Sequence, residues 1–95
     1  MPLLSPAAVQ EKLKELPGWS LAGKEIVRAF SFADFVGALR FVNAVGERAE
    51  AAGHHPDIDI RYNKVKLALT SHDSGGLTER DFHLAKVVDA ISTKN

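Results

Sequence analysis

The run DIDIRYNKVKLALTS, residues 57–71, constrains this chain more than any other segment. Ile58, Ile60 and Tyr62 alternate with Asp57, Asp59 and Arg61, and Val65, Leu67 and Leu69 alternate with Lys64, Lys66, Ala68 and Thr70. Successive side chains on a strand point to opposite faces, so this period-two pattern specifies two strands with one buried face. Opposite charges on the other face can pair across the strands. A turn at Asn63-Lys64 sets Tyr62 against Val65, Ile60 against Leu67 and Ile58 against Leu69, all on the apolar face. Continued outward, that register brings His55 opposite His72 and His54 opposite Asp73, with Pro56 bending the chain between.

The rest of the chain supplies the elements that such a hairpin needs to bury itself. LSPAAVQEKLKELPG reads as a short helix with Ser5 as cap, Pro6 at its first position, Val9, Leu13 and Leu16 at helical spacing, and Pro17-Gly18 as the stop. WSLAGKEIVRAFSF reads as a second hairpin turning at Ala22-Gly23-Lys24, with Ile26, Arg28 and Phe30 on one face. SFADFVGALRFVNAVGERAEAAG is a long helix. Ser31 is its cap candidate, Asp34 follows three residues on, and Phe32, Phe35, Leu39, Val42 and Val45 form its apolar stripe. Gly53 stands where a left-handed residue ends such a helix. LTERDFHLAKVVDAIS closes the chain as a helix capped by Thr78, with Leu84, Ala85, Val88 and Ile91 facing inward. The order αββαββα implies an α+β fold: a four-stranded antiparallel sheet with the two long helices on one face, residues 1–95 making one domain.

Composition narrows the function classes. Twelve basic residues balance twelve acidic ones, so no electrostatic footprint for nucleic acid or an anionic membrane is expected. The absence of cysteine excludes disulfides, thiolate catalysis and cysteine-ligated zinc. The N-terminal stretch lacks the basic and apolar regions of a signal peptide, and no apolar run is long enough for a membrane span, which makes a cytoplasmic location the expectation.

Three of the four histidines fall in GHHPDIDIRYNKVKLALTSHD, residues 53–73. The hairpin gathers them at one end, beside the last turn of the long helix with Glu50 and the start of the final helix at GGLTERD. His, Glu, Asp, Ser and Arg rim that place. Three readings are open: solvated loop histidines, a metal site, or acid–base catalysis by groups that titrate near neutral pH. Adjacent residues of extended chain point apart, which argues against His54 and His55 sharing one ion. Asp81 reads as a helix-start carboxylate, Trp19 and Tyr62 as packing residues, and His83 as a surface residue.

AEAAGHHPDIDIRYNKVKLALTSHDSGGLTERDFHLA resembles the core of the pterin-4a-carbinolamine dehydratases. The shared pattern is Ala49-Glu50, His54-His55-Pro56, Tyr62-Asn63, Ser71-His72-Asp73, Gly76-Leu77-Thr78 and Asp81. Gly18–Leu21 and Phe30–Phe35 match upstream, so the resemblance spans nearly the whole chain. Ile58 stands where the family often carries an aromatic residue, and Thr70-Ser71 reverses the order common in animal members. The resemblance implies a dehydratase that takes water from 4a-hydroxytetrahydropterin to give quinonoid dihydropterin, with a small-molecule pterin as substrate and no metal or other cofactor. It implies catalysis by His54 and His72, with His55 orienting the pterin, and Glu50, Gly53, Pro56, Thr70, Ser71, Asp73 and Arg80 around the substrate. It also implies homo-oligomers, dimer or tetramer, and offers an alternative from another class: animal members also serve as dimerisation cofactors of a homeodomain transcription factor.

Overall fold

The computed structural model describes residues 2–94. The elements are α1 (Pro6–Leu13), β1 (Ser20–Ala22), β2 (Glu25–Ser31), α2 (Phe35–Ala52), β3 (Asp57–Arg61), β4 (Lys64–Leu69), a single 3₁₀ turn at His72–Ser74, and α3 (Glu79–Lys94). The strands form one antiparallel sheet in the order β1-β2-β4-β3. The predicted α+β class and the αββαββα order are therefore found.

The two central strands carry the sheet's core. Ile26, Phe30, Val65, Leu67 and Leu69 are buried, and they meet Ala38, Phe41, Val45 and Ala49 of α2 and Leu84, Ala85 and Val88 of α3 in one cluster. Phe41 is its hub, with ring centroids 4.7 Å from Phe30 and 5.0 Å from Phe32. Arg28 also lies on the inner face. Its guanidinium sits 4.6 Å over the Phe30 ring and donates to Asp89 Oδ1 of α3 at 2.8 Å, while Trp19 Nε1 donates to the same oxygen at 2.9 Å. One carboxylate thus lets a cation face a core, because its charge is matched there. Trp19 is buried as a packing residue.

The second hairpin is shifted from the predicted register. Ile58 pairs with Leu67 and Ile60 with Val65, so the turn is Tyr62-Asn63 rather than Asn63-Lys64. Tyr62 takes the left-handed backbone, φ 53°, and is 66% exposed rather than packed. Such a conformation costs a side chain about 1–2 kcal/mol. Asn63 offsets it: Phe32 N–H donates to Asn63 O at 2.9 Å and Asn63 Nδ2 donates to Phe32 O at 2.8 Å, which locks the turn to the β2–α2 connection. The slip is of two residues in pairing, so every side chain keeps its face.

The stripe of α2 also differs from the expected one. Ser31 is the last residue of β2, and Asp34 is the cap, accepting from Gly37 N–H at 2.8 Å. The buried positions are Ala38, Phe41, Val45 and Ala49, and Phe35 and Leu39 stand 45% and 36% exposed. Two alanines on the inner side let α2 approach the sheet closely, a contribution that a count of large apolar residues overlooks. The first hairpin, with Ala22 opposite Glu25 and Gly23 at φ 63°, is as predicted. Among the described residues no helix is long and apolar enough to cross a membrane.

Candidate functional site

The site begins where α2 ends. Gly53 adopts φ 64° and ψ 28°, and the amides of Gly53 and His54 bond back to the carbonyls of Glu50 and Ala49. That reversal sends the chain away from the helix axis as HHP. Pro56 holds His55 extended, so two neighbouring imidazoles leave on opposite sides. His54 turns inward and is 8% exposed; His55 turns outward.

Inside, His54 Nε2 lies 2.6 Å from Asp81 Oδ1. Asp81 is fully buried. Its second oxygen, Oδ2, accepts from Ser71 Oγ at 2.9 Å and from Thr78 N–H at 2.9 Å, and Ser71 Oγ is also 2.8 Å from Thr78 Oγ1. Asp81 therefore is a helix-start residue, as read from the sequence, since it closes the reciprocal bond to its own capping residue. It is also more than that. An ionised carboxylate only accepts, so with Asp81 in that form the bond takes its proton from His54 Nε2 and leaves Nδ1 to exchange one. Nothing local in the sequence marks this contact, because 27 residues separate the partners.

Outside, His55 Nε2 is 2.8 Å from Glu50 Oε1 in an exposed pair. His72 opens the 3₁₀ turn and is exposed. It follows Ser71, so a single carboxylate joins the His54 ring to the residue just before His72. Asp73 accepts from Arg80 Nη2 at 2.6 Å, and that hydrogen bond holds the Asp73 carboxyl below the usual carboxylate range. Thr70 Oγ1 donates to Lys24 O at 2.7 Å and ties the end of β4 to the first hairpin. Gly53 is exposed and Pro56 half-buried beside them.

A depression of about 260 Å³ opens between the end of α2 and the first turns of α3, lined by Ala52, His54, Glu79, Arg80, His83 and Leu84. It falls just below the range for small-molecule pockets, about 300–1,000 Å³. His83 is exposed, as expected, yet forms part of this wall. His55 and His72 are not among its lining residues. Among the described residues, no three His, Asp or Glu side chains converge as a ligand set for a metal ion.

The family model for pterin 4 alpha carbinolamine dehydratase matches residues 2–91. The chain belongs to that family. It is 59% identical over 91 residues to a protein of Acidobacterium capsulatum named "Putative pterin-4-alpha-carbinolamine dehydratase", a match covering 96% of this chain and 99% of the relative. A crystal structure of a transcriptional coactivator/pterin dehydratase from Brucella melitensis superposes with a TM-score of 0.90 at 34% identity, covering 94% of this chain and 97% of that one. A pterin dehydratase-like protein, identified as a RuBisCO assembly factor in the alpha-carboxysome, superposes with a TM-score of 0.69 at 26% identity over 79% of this chain and 89% of its own. The family match thus spans the residues that carried the resemblance, and the fold around them is shared.

Proposed function

We propose that this chain is a 4a-hydroxytetrahydropterin dehydratase. Elimination breaks the C4a–O bond, delivers one proton to the departing hydroxyl, and removes another from a ring nitrogen; water and quinonoid dihydropterin result. Two imidazoles suffice for both transfers, since each gives or takes a proton near neutral pH at little cost. His54 and His72 fill these roles. His55 orients the pterin, with Glu50 and Asp73 accepting N–H bonds, and Gly53, Pro56, Thr70, Ser71 and Arg80 shaping the surrounding rim. The observation that carries this reading is the 2.6 Å contact between His54 Nε2 and the buried Asp81, which supports a ring held by one nitrogen with the other left to exchange a proton. The family match supports the substrate class.

The test follows the ultraviolet decay of 4a-hydroxypterin, generated by a hydroxylase, with and without the protein. Wild type accelerates the decay, and His54→Ala and His72→Ala each lose roughly 100-fold or more of that acceleration, as removal of an acid–base group does. No acceleration by wild type overturns the enzyme; equal acceleration by all three overturns the assignment of the histidines.

A second reading, a non-catalytic partner of another protein, draws on the names of the two solved relatives, a coactivator and an assembly factor. It predicts that both alanine variants keep full function in whatever assembly the chain serves. Oligomerisation belongs to this proposal as well, with Phe35, Val36 and Leu39 standing exposed together on the first turns of α2.

A further inference from the structure

We propose that the open edge of β2 at residues 29–31 docks an extended acidic peptide of another protein, which adds a strand in line with β1 and sets two carboxylates over Lys64 and Lys66. The site lies at the Tyr62-Asn63 end of the sheet, away from the histidines, and does not depend on the dehydratase reading.

β1 is three residues long and covers only Glu25, Ile26 and Val27 of the seven residues of β2. The chain before β1 turns off the sheet. Trp19 N–H donates to Leu16 O at 2.9 Å, and a Cβ on Gly18 would lie 2.6 Å from the Arg28 guanidinium carbon, so the backbone there has moved towards the inner face. Register decides which backbone groups are left open. Phe32 N–H donates to Asn63 O, and bonding groups alternate sides along a strand, so Arg28 and Phe30 bond towards β4 while Ala29 and Ser31 point the other way. The N–H and C=O groups of Ala29 and Ser31 have no partner among the described residues. Both residues line a groove of about 400 Å³ with Arg28, Phe30, Phe32 and Ser92 of α3. Donors and acceptors spaced two residues apart are what another extended backbone satisfies.

The outer face of the sheet sets the chemistry of the peptide's side chains. Ala29 lies opposite Lys66 and Ser31 opposite Lys64, and all four residues are exposed on the side away from the helices. On the other flank of β4, Asp59 faces Lys66 but Arg61 faces Lys64, a like-charge pair directly across the strands. Arg61 Nε lies 3.5 Å from Asp59 Oδ2, and neither lysine has an ion-pair partner among the described residues. A depression of about 300 Å³ opens over Ala29, walled by Lys64, Lys66, Asp59 and Arg61. A strand added beside β2 lies about 10 Å from β4, two interstrand spacings. The small side chains of Ala29 and Ser31 leave that gap open to a glutamate and a lysine reaching in from either side. Peptide residues opposite Ala29 and Ser31 are therefore acidic, and the residue between them faces Phe32 and is apolar. A nucleic acid meets the lysines but leaves the open amides and carbonyls of β2 unpaired.

The experiment titrates the full chain, labelled with ¹⁵N, with short synthetic peptides that differ only at the centre: glutamate–valine–glutamate in one, lysine–valine–lysine in the other. The acidic peptide binds with a Kd of roughly 1 mM or below. At about ten times Kd it slows exchange of the Ala29 and Ser31 amide protons roughly tenfold. Lys64→Gln and Lys66→Gln each weaken binding about threefold and together about tenfold, and about 0.5 M salt acts in the same direction. Ser31→Pro removes one open N–H and no bond of the β2–β4 ladder, and lowers affinity about tenfold. Where that variant does not fold, the double lysine variant decides. No binding up to about 5 mM peptide, equal binding of the two peptides, or unchanged affinity in the double lysine variant overturns the proposal. Protection that maps to other amides does so too, as does tighter binding of a single-stranded oligonucleotide than of the acidic peptide. Protection of Ala29 and Ser31 that rises with the concentration of the protein alone assigns the edge to a second copy, and likewise overturns it.

Discussion

Two imidazole–carboxylate pairs stand side by side at the end of α2, and they differ chiefly in burial. His54 meets Asp81 at 2.6 Å with side chains 9% and 0% exposed; His55 meets Glu50 at 2.8 Å with side chains 63% and 82% exposed. The geometry is similar. The consequences are not, because a charge removed from water depends on its partners, whereas an exposed one has water as an alternative. Asp81 has three such partners in Ser71, Thr78 and His54, and losing any of them leaves a polar group stranded. Glu50 and His55 lose little when parted. The fold therefore locks one histidine and leaves its neighbour free to reorient.

The comparison breaks most readily at Asp81. Asp81→Ala strands Thr78 N–H and His54 and takes one of the two partners of Ser71 Oγ, and should destabilise the chain by about 3–5 kcal/mol, measured by urea unfolding. A cost below about 1 kcal/mol would place the buried pair in the same class as the exposed one. Glu50→Gln should cost less than about 0.5 kcal/mol in the same measurement and leave the melting temperature almost unchanged. On the proposed dehydratase reading its effect should appear instead in KM for the pterin.

The smallest effect concerns pH. Asp73 titrates below its ordinary value because Arg80 hydrogen-bonds its carboxylate. A folded-state value depressed below the unfolded one contributes stability above the unfolded value, and that contribution is lost as pH falls through the folded one. Asp73 is fully exposed to solvent screening, so the expected loss in acid is too slight to shift the melting curve. Carboxyl NMR of Asp73 should still record the lowered titration, and 0.5 M salt should bring it back towards the ordinary range.

Much of this was legible in the chain. Period two in residues 57–71 placed Val65, Leu67 and Leu69 on the buried face, and Gly53 ended α2 as expected. Two features were not legible. Alternation specifies which face a residue occupies but not which residue it faces, and the register moved when Tyr62 accepted a strained backbone so that Asn63 could bind Phe32. The stripe of α2 rotated because alanines at 38 and 49 carry close packing without much hydrophobic signal.

Sequence alone, then, determined the elements, their order and the buried face of β4, since propensity, periodicity and capping act over a few residues. Tertiary structure decided the partner of each charged group. Asp81 is a helix-start residue in any chain with Thr78 three positions before it; it becomes the holder of His54 only because folding carries the end of α2 onto the first turn of α3. Contacts of that kind depend on distances across the fold, and a buried carboxylate is satisfied by whichever donors the packing delivers.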